Sequence, residues 1–247
     1  MTDADLAAHL AEAAGKLLLA VREADVFSAK ALGKAGDATA NEFLCHAIRE
    51  QRPEDGLLSE ETKCDGSRLA QKRVWIVDPV DGTREYGEGR PDWAVHVGLS
   101  IDGVASIGAV ALPGLDTVLR TDQPFALPEP GSPLRMVVSR TRPAAEAVMV
   151  AEKLGAELVP MGSAGAKAMA IIRGEADIYL HSGGQYEWDS CAPAAVALAF
   201  GLHASRIDGS PLVYNREDVY MPDLLICRHE HAELVLAILR EEALAAG

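Results

Sequence analysis

Aromatic residues are scarce in this 247-residue chain, at 5%, and Ala, Leu and Val carry most of its apolar content. A base-stacking platform for polymeric nucleic acid, or a stacked cofactor, relies on aromatic faces, so the composition argues against both. Positive charge is short as well: 23 Lys and Arg stand against 37 Asp and Glu, a formal net charge of −14. No basic face is available to grip a nucleic-acid polymer or an anionic membrane. An anionic small molecule remains admissible, provided that metal ions or a local basic cluster reverse the sign at its site. The four cysteines (Cys45, Cys64, Cys191, Cys227) show no CxxC pair and no metal-finger spacing, as expected of reduced thiols in a cytoplasmic protein. No apolar run approaches the ~20 residues needed to span a bilayer. The opening Met1-Thr2-Asp3-Ala4-Asp5 is acidic and unlike a secretory signal, so a cytoplasmic location is expected.

What is present is periodic. Residues 4–25 place Leu6, Leu10, Leu17, Leu18 and Val21 at helical spacing. The stretch Gly33-Lys34-Ala35-Gly36-Asp37 is expected to break the helical pattern before a second helix over 39–51, which Pro53 ends. Short strands are then expected at 56–59 and 74–77, the latter stopping at Asp78-Pro79. Two longer runs, 93–100 and 104–112, flank the hairpin signal Ile101-Asp102-Gly103, and Thr117-Val118-Leu119 adds a further strand. Residues 121–133 hold Pro124, Pro128, Pro130 and Pro133 and read as a linker. Beyond it, strands (134–139, 157–160, 176–180, 223–227) alternate with helices (143–155, 163–174, 190–201, 229–245), an α/β pattern. The division expected is an N-terminal α+β half (1–125) and a C-terminal α/β half (126–247).

The chemistry centres on Val74-Trp75-Ile76-Val77-Asp78-Pro79-Val80-Asp81-Gly82-Thr83. A buried strand ends in a carboxylate, Pro79 turns the chain, and a second carboxylate follows three residues on. Asp78 and Asp81 can point at one spot, and the Val80 carbonyl can turn inward with them, a hard-oxygen set that suits Mg²⁺. Gly82 and Thr83 offer backbone N–H groups to a phosphate at an apparent helix start. The same residues also read as an ordinary cap and turn. Leu57-Leu58-Ser59-Glu60-Glu61 and Glu187-Trp188-Asp189 place further carboxylates at element ends. Brought together, such groups repel by several kcal/mol at ~4 Å and intermediate dielectric. Only cations make that arrangement durable. Among the basic residues, Ser163 and Lys167 open a helix where a second phosphate can sit, and Lys34, Arg84, Arg140, Arg142 and Arg173 lie near other site loops. His96, between two valines, reads as a packed core histidine.

In order and spacing, Ser59-Glu60-Glu61, Asp78-Pro79-Val80-Asp81-Gly82-Thr83 and Trp188-Asp189 resemble the signature elements of the inositol monophosphatase superfamily, lithium-sensitive and Mg²⁺-dependent phosphatases. Within it, Leu58-Ser59-Glu60-Glu61, Ser139-Arg140-Thr141, Gly162-Ser163 with Lys167, and Glu187-Trp188-Asp189 look most like the 3′(2′),5′-bisphosphate nucleotidase (CysQ-type) branch. The resemblance implies a layered α-β-α-β-α sandwich of the sugar-phosphatase type, with the active site between the two halves. It implies two or three Mg²⁺ held by the carboxylates of Glu60, Asp78, Asp81 and Asp189 and by the Val80 carbonyl. Thr83 would orient the attacking water, and Gly82, Thr83, Arg140, Ser163, Lys167 and Glu187 would contact substrate. A homodimer is compatible with it. The family's water-polarising Asp is displaced here: Asn41 stands near its place, and Asp37 is the candidate that remains.

The activity this implies is removal of the 3′-phosphate from 3′-phosphoadenosine 5′-phosphate, the partner being a small bisphosphorylated nucleotide. Inositol monophosphatase or fructose-1,6-bisphosphatase activity is the alternative. A non-catalytic phosphometabolite-binding regulator is a third reading, and Asn41 is its only support.

Overall fold

The computed structural model describes residues 1–62 and 66–246; Cys64 lies outside them. Helix α1 (Asp3–Glu23) starts at Thr2, whose hydroxyl accepts the Asp5 N–H at 3.1 Å, with Asp3 and Asp5 in the first turn and Arg22 in the last. That charge order complements the helix dipole. Helix α2 runs from Ala29 to Gln51 without interruption, so the expected break at 33–37 does not occur. The glycines there serve packing. A Cβ at Gly33 would lie 2.7 Å from Thr83 Cγ2, and one at Gly36 would lie 2.6 Å from Tyr86 Cε1. Their absence of side chain lets α2 pass directly over the Asp78–Thr83 segment and puts Asp37 beside it.

The first sheet has the order β1 (Gly56–Ser59), β2 (Arg73–Asp81), β3 (Ala94–Ile101), β4 (Val104–Leu112) and β5 (Thr117–Arg120). The β1–β2 pair is parallel and the others are antiparallel. Strand β2 continues past Pro79, contrary to the expected stop, because its register with β3 shifts between Asp78 and Asp81 and leaves the proline outside the ladder. A short helix α3 (Thr83–Gly87) follows. Its Tyr86 is fully buried, meets Trp93 edge-on at 4.9 Å and donates its hydroxyl to the Leu18 carbonyl at 2.7 Å. Burying side chains of this size contributes ~1.5–3 kcal/mol each and fixes the end of the motif.

Residues 121–134 carry no helix or strand. Then come β6 (Arg135–Ser139), α4 (Ala145–Leu154), β7 (Glu157–Met161), α5 (Ala164–Ile172), β8 (Ile178–Tyr186), α6 (Glu187–Ala199), β9 (His203–Ser205), β10 (Tyr220–Cys227) and α7 (His229–Ala246). The second sheet is ordered β7-β6-β8-β10-β9, parallel across β7-β6-β8 and antiparallel across β8-β10-β9. Two features go beyond the sequence expectation: the short β9, and the extension of β8 to Tyr186 through Gly183 and Gly184, both at positive φ.

The layers are those expected. Helices α1 and α2 cover one face of the first sheet, while α5 and α6 lie between the two sheets. Helices α4 and α7 close the outer face of the second. Cys45, Cys191 and Cys227 are buried free thiols. Among the described residues, no helix is long and apolar enough to cross a membrane.

The middle layer sits unusually close to the first sheet. A Cβ at Gly98 would come 2.9 Å from the Ala192 nitrogen, and one at Gly108 would come 2.7 Å from the Ala192 oxygen. Backbone cannot yield as a side chain does, so Gly108→Val is expected to cost about 1–3 kcal/mol of stability in urea unfolding. Val104→Ala, at a 57% exposed position of the same strand, should stay within about 0.5 kcal/mol. Equal effects would mean that α6 is not seated on the sheet through these glycines.

Candidate active site

Asp78 and Asp81 reach the site from the end of β2, and Asp189 reaches it from the first turn of α6. One carboxylate oxygen from each lies within 4.8 Å of the other two. Local geometry aims each of them. The Val80 N–H donates to Asp78 Oδ1 at 3.1 Å, closing a tight turn around Pro79. Asp189 Oδ2 accepts the Tyr186 N–H at 2.7 Å, part of the cap that starts α6.

Asp81 is gripped hardest. It accepts the Ser163 hydroxyl at 2.5 Å and the N–H groups of Ala164 and Gly165 at 3.0 and 2.6 Å. These are the first donors of α5, aimed at a negative charge. His96 Nε2 stands 3.1 Å from Asp81 Oδ2, without the alignment of a hydrogen bond, and its Nδ1 lies 3.0 Å from the Trp188 carbonyl.

These contacts divide the carboxyls by charge. Burial alone would raise the pKa of Asp81, but the His96 ring, the Ser163 hydroxyl and the Gly165 N–H hold it at about 2. Its neighbours go the other way. Burial, then the charges of Glu60 and Asp81, push Asp78 well above the carboxylate range. Burial and then Asp81 bring Asp189 to about 7. Glu60 is exposed, one residue past the end of β1, and stands outside the group of three aspartates. The loss of water from around its carboxylate, then the charges of Glu61 and Asp81, lift it to about 7. Without added positive charge, this site retains protons at neutral pH. A set of hard, mutually repelling oxygens is what Mg²⁺ ligation requires, so the residues fit that ion.

Behind the cluster, the Thr83 hydroxyl lies 3.1 Å from the Val80 carbonyl and 3.5 Å from Asp37 Oδ1. Burial, then Glu61 and Glu60, raise Asp37 to about 7, a pull that the Thr83 contact only partly offsets. Asn41, one turn farther along α2, is engaged elsewhere. It accepts from Ser59 Oγ at 2.6 Å and donates to Thr62 Oγ1 at 3.1 Å. Asp37, not Asn41, is therefore the group beside Thr83, and the regulator reading loses its support.

The other expected substrate contacts have different positions. Gly82, at φ 85°, turns the chain into α3. Ser163 is spent on Asp81. Lys167 is 5% exposed, and its ammonium donates to the carbonyls of Gly162 and Ser163. Glu187 is fully buried and accepts the N–H groups of Asn215 and Arg216 at 2.7 and 2.8 Å. Lys167 and Glu187 thus hold site loops together. Arg140 is bound to Glu85 at 2.7 Å and Glu88 at 2.6 Å.

His96 is the residue whose part in the site its sequence context hid. It is a fully buried histidine, as read, yet it faces Asp81, and only the pairing of His96 opposite Asp78 across β3 and β2 reveals this. A cavity of about 470 Å³ adjoining Thr83 is lined by Lys30, Lys34 and Arg84; Lys30 had no signal beyond its charge.

Comparison with known proteins is consistent with this geometry. A protein of Mycobacterium leprae named 3′-phosphoadenosine 5′-phosphate phosphatase is 50% identical over 98% of this chain and 94% of its own length. An inositol monophosphatase from Anabaena superposes with a TM-score of 0.80 at 21% identity, covering 96% of this chain and 95% of the other. CysQ from Bacteroides thetaiotaomicron superposes with a TM-score of 0.79 at 23% identity, covering 90% and 96%. The profile of the inositol monophosphatase family matches residues 3–244, nearly the whole length described above, and the chain belongs to that family.

Proposed function

We propose that the protein hydrolyses 3′-phosphoadenosine 5′-phosphate to AMP and inorganic phosphate with Mg²⁺ as its metal. The observation that carries this reading is the convergence of Asp78, Asp81 and Asp189 in a chain half identical to a relative bearing that activity in its name. Glu60 and the Val80 carbonyl would join the three aspartates in holding the metal, and residues 1–125 and 126–247 would each supply part of the site. Bound Mg²⁺ would supply positive charge to the phosphoryl oxygens and acidify a water.

The protein's own groups do the rest. Thr83 orients the attacking water through its hydroxyl, fixed on Val80, and Asp37 accepts the proton that the water gives up. Asp37 Oδ1 lies 3.5 Å from the Thr83 hydroxyl that orients the water, close enough to take that proton. Gly82 and Thr83 present N–H groups to the phosphate. The water oxygen bonds to phosphorus as the bond to the ribose 3′-oxygen breaks, and that oxygen takes a proton from a solvent water to leave as the 3′-hydroxyl of AMP. On this reading the protein works in the cytoplasm on a small bisphosphorylated nucleotide, as a monomer or a homodimer, and is inhibited by Li⁺.

Phosphate release from the bisphosphorylated nucleotide, inositol 1-phosphate and fructose 1,6-bisphosphate, with and without Mg²⁺, tests the substrate. The nucleotide should be cleaved fastest, and preference for either sugar phosphate would overturn the reading. Asp81→Asn should lower kcat by at least about 100-fold on every substrate. Asp37→Asn should lower kcat by about 100- to 10,000-fold with little change in KM; an unaffected kcat would remove Asp37 from the mechanism.

The carboxyls also set a pH dependence. In the metal-free protein, Asp37, Glu60 and Asp189 titrate at about 7, against ~4 when unfolded. The folded state binds more protons across that interval, so stability is greatest below it and declines as pH rises through about 7. Melting in a chelator should therefore fall in temperature between about pH 5 and pH 8, and Mg²⁺ should raise it more at the higher pH. A Mg²⁺ effect independent of pH would mean that the ion binds elsewhere.

A further inference from the structure

Aromatic side chains are few in this chain, yet three converge at the rim of the acidic cluster. Tyr186 ends β8, and Trp188 follows in the first turn of α6. Their rings stack with centroids 4.9 Å apart and planes 13° from parallel. Tyr220 opens β10 directly opposite Tyr186 in the sheet register and meets its ring at 5.8 Å and 77°. The Tyr220 hydroxyl accepts the Gly184 N–H at 3.1 Å, which steadies the ring. Tyr186 remains 41% exposed and Tyr220 36%. A cross-strand aromatic pair supports the end of a sheet by itself, but it does not require this much ring surface to stay in water.

The position of the group gives it a further use. The Tyr186 N–H donates to Asp189 Oδ2 at 2.7 Å, and the Trp188 carbonyl lies 3.0 Å from His96, the partner of Asp81. The Trp188 ring packs against the apolar cluster that contains Leu58, two residues before Glu60. The rings are thus tied through backbone to two of the clustered carboxylates, and Trp188 adjoins the strand that leads to Glu60. We propose that Tyr186, backed by Trp188 and flanked by Tyr220, is the stacking shelf for the nucleobase of the substrate. This rests on the nucleotide reading above and explains how such a substrate would be chosen. A cation-loaded carboxylate cluster grips any phosphate monoester alike. A planar base gains from an aromatic face, whereas the saturated ring of inositol or fructose has no π-face to offer. The shelf selects by ring, and the acidic cluster by phosphate.

Kinetics and product inhibition of the Mg²⁺-loaded enzyme test this. Tyr186→Ala should raise the KM for 3′-phosphoadenosine 5′-phosphate and the inhibition constant of AMP on the order of tenfold. It should leave kcat and the inhibition constant of inorganic phosphate unchanged, and Tyr186→Phe should restore wild-type values. Fluorescence supplies a readout apart from turnover. Trp75 and Trp93 are fully buried, so quenching by AMP reports Trp188, and its midpoint should move upward in Tyr186→Ala by the same factor. Tyr220→Ala, which leaves the Tyr186–Trp188 stack intact, should show a smaller change in the same direction. An unchanged AMP constant in Tyr186→Ala, or equal weakening of AMP and inorganic phosphate, would overturn the shelf while leaving the proposed activity standing. A wild-type enzyme that does not cleave the nucleotide would instead overturn the activity itself.

Discussion

A single buried carboxylate, Asp81, seated on the first amides of α5, is the contact on which the arrangement of this molecule turns. It belongs to the first sheet, and its partners Ser163, Ala164 and Gly165 belong to the layer between the sheets. A helix N-terminus presents unpaired N–H groups and a positive dipole end, so the charged form of Asp81 is favoured despite burial. The contact therefore does two jobs. It fixes one permanent negative charge at the centre of the site, and it sets where α5 stands against the first sheet. Helix α6 packs beside α5 and on the glycines of β3 and β4, and so carries Asp189 to the same point.

Around that fixed charge, Lys167, Arg84 and Arg140 are already engaged. Lys167 is turned onto the carbonyls of Gly162 and Ser163, and its ammonium lies over the Tyr179 ring at 5.3 Å. Burial lowers its pKa, and the carboxylates around it oppose that shift. It shapes the turn that presents the Asp81 donors. Arg84 and Arg140 are paired with Glu85 and Glu88. Lys30 and Lys34 stand by Thr83 rather than at the carboxylates, so the proposed bound ions are the source of charge that would let Asp78, Asp189 and Glu60 ionise together. The protein's acidity and its expected taste for an anionic substrate are compatible for this reason.

Much of this was legible in the chain. The strands and helices follow from apolar periodicity and turn residues, and the layered fold and the grouping of Asp78, Asp81 and Asp189 from the resemblance that the acidic motifs carry. What misled was small residues. Gly33 and Gly36 read as a break in the helix because propensity disfavours glycine there; they are kept because Thr83 and Tyr86 occupy the space where side chains would stand. Gly183 and Gly184 concealed the last residues of β8 in the same way, and with them the reach of that strand to Tyr186. Scarce aromatics argued against stacking by composition, but composition is blind to three rings drawn into one place.

The order of acidic motifs along the chain, through their resemblance to the inositol monophosphatase superfamily, pointed to a metal-dependent phosphate chemistry on a layered α/β scaffold, and the apolar periodicity outlined most of its helices and strands. These are local properties, written in consecutive residues. The partners of each charged group were decided only by the tertiary structure. It placed Asp37 at Thr83 and moved Asn41 into a hydrogen-bond cluster with Ser59 and Thr62. It also set His96 against Asp81 and turned Lys167 and Glu187 inward. Such pairings join residues up to 92 positions apart, as His96 and Trp188 are, and depend on strand register and on how closely backbones can approach. No short window of the sequence contains both ends of the longest of these contacts.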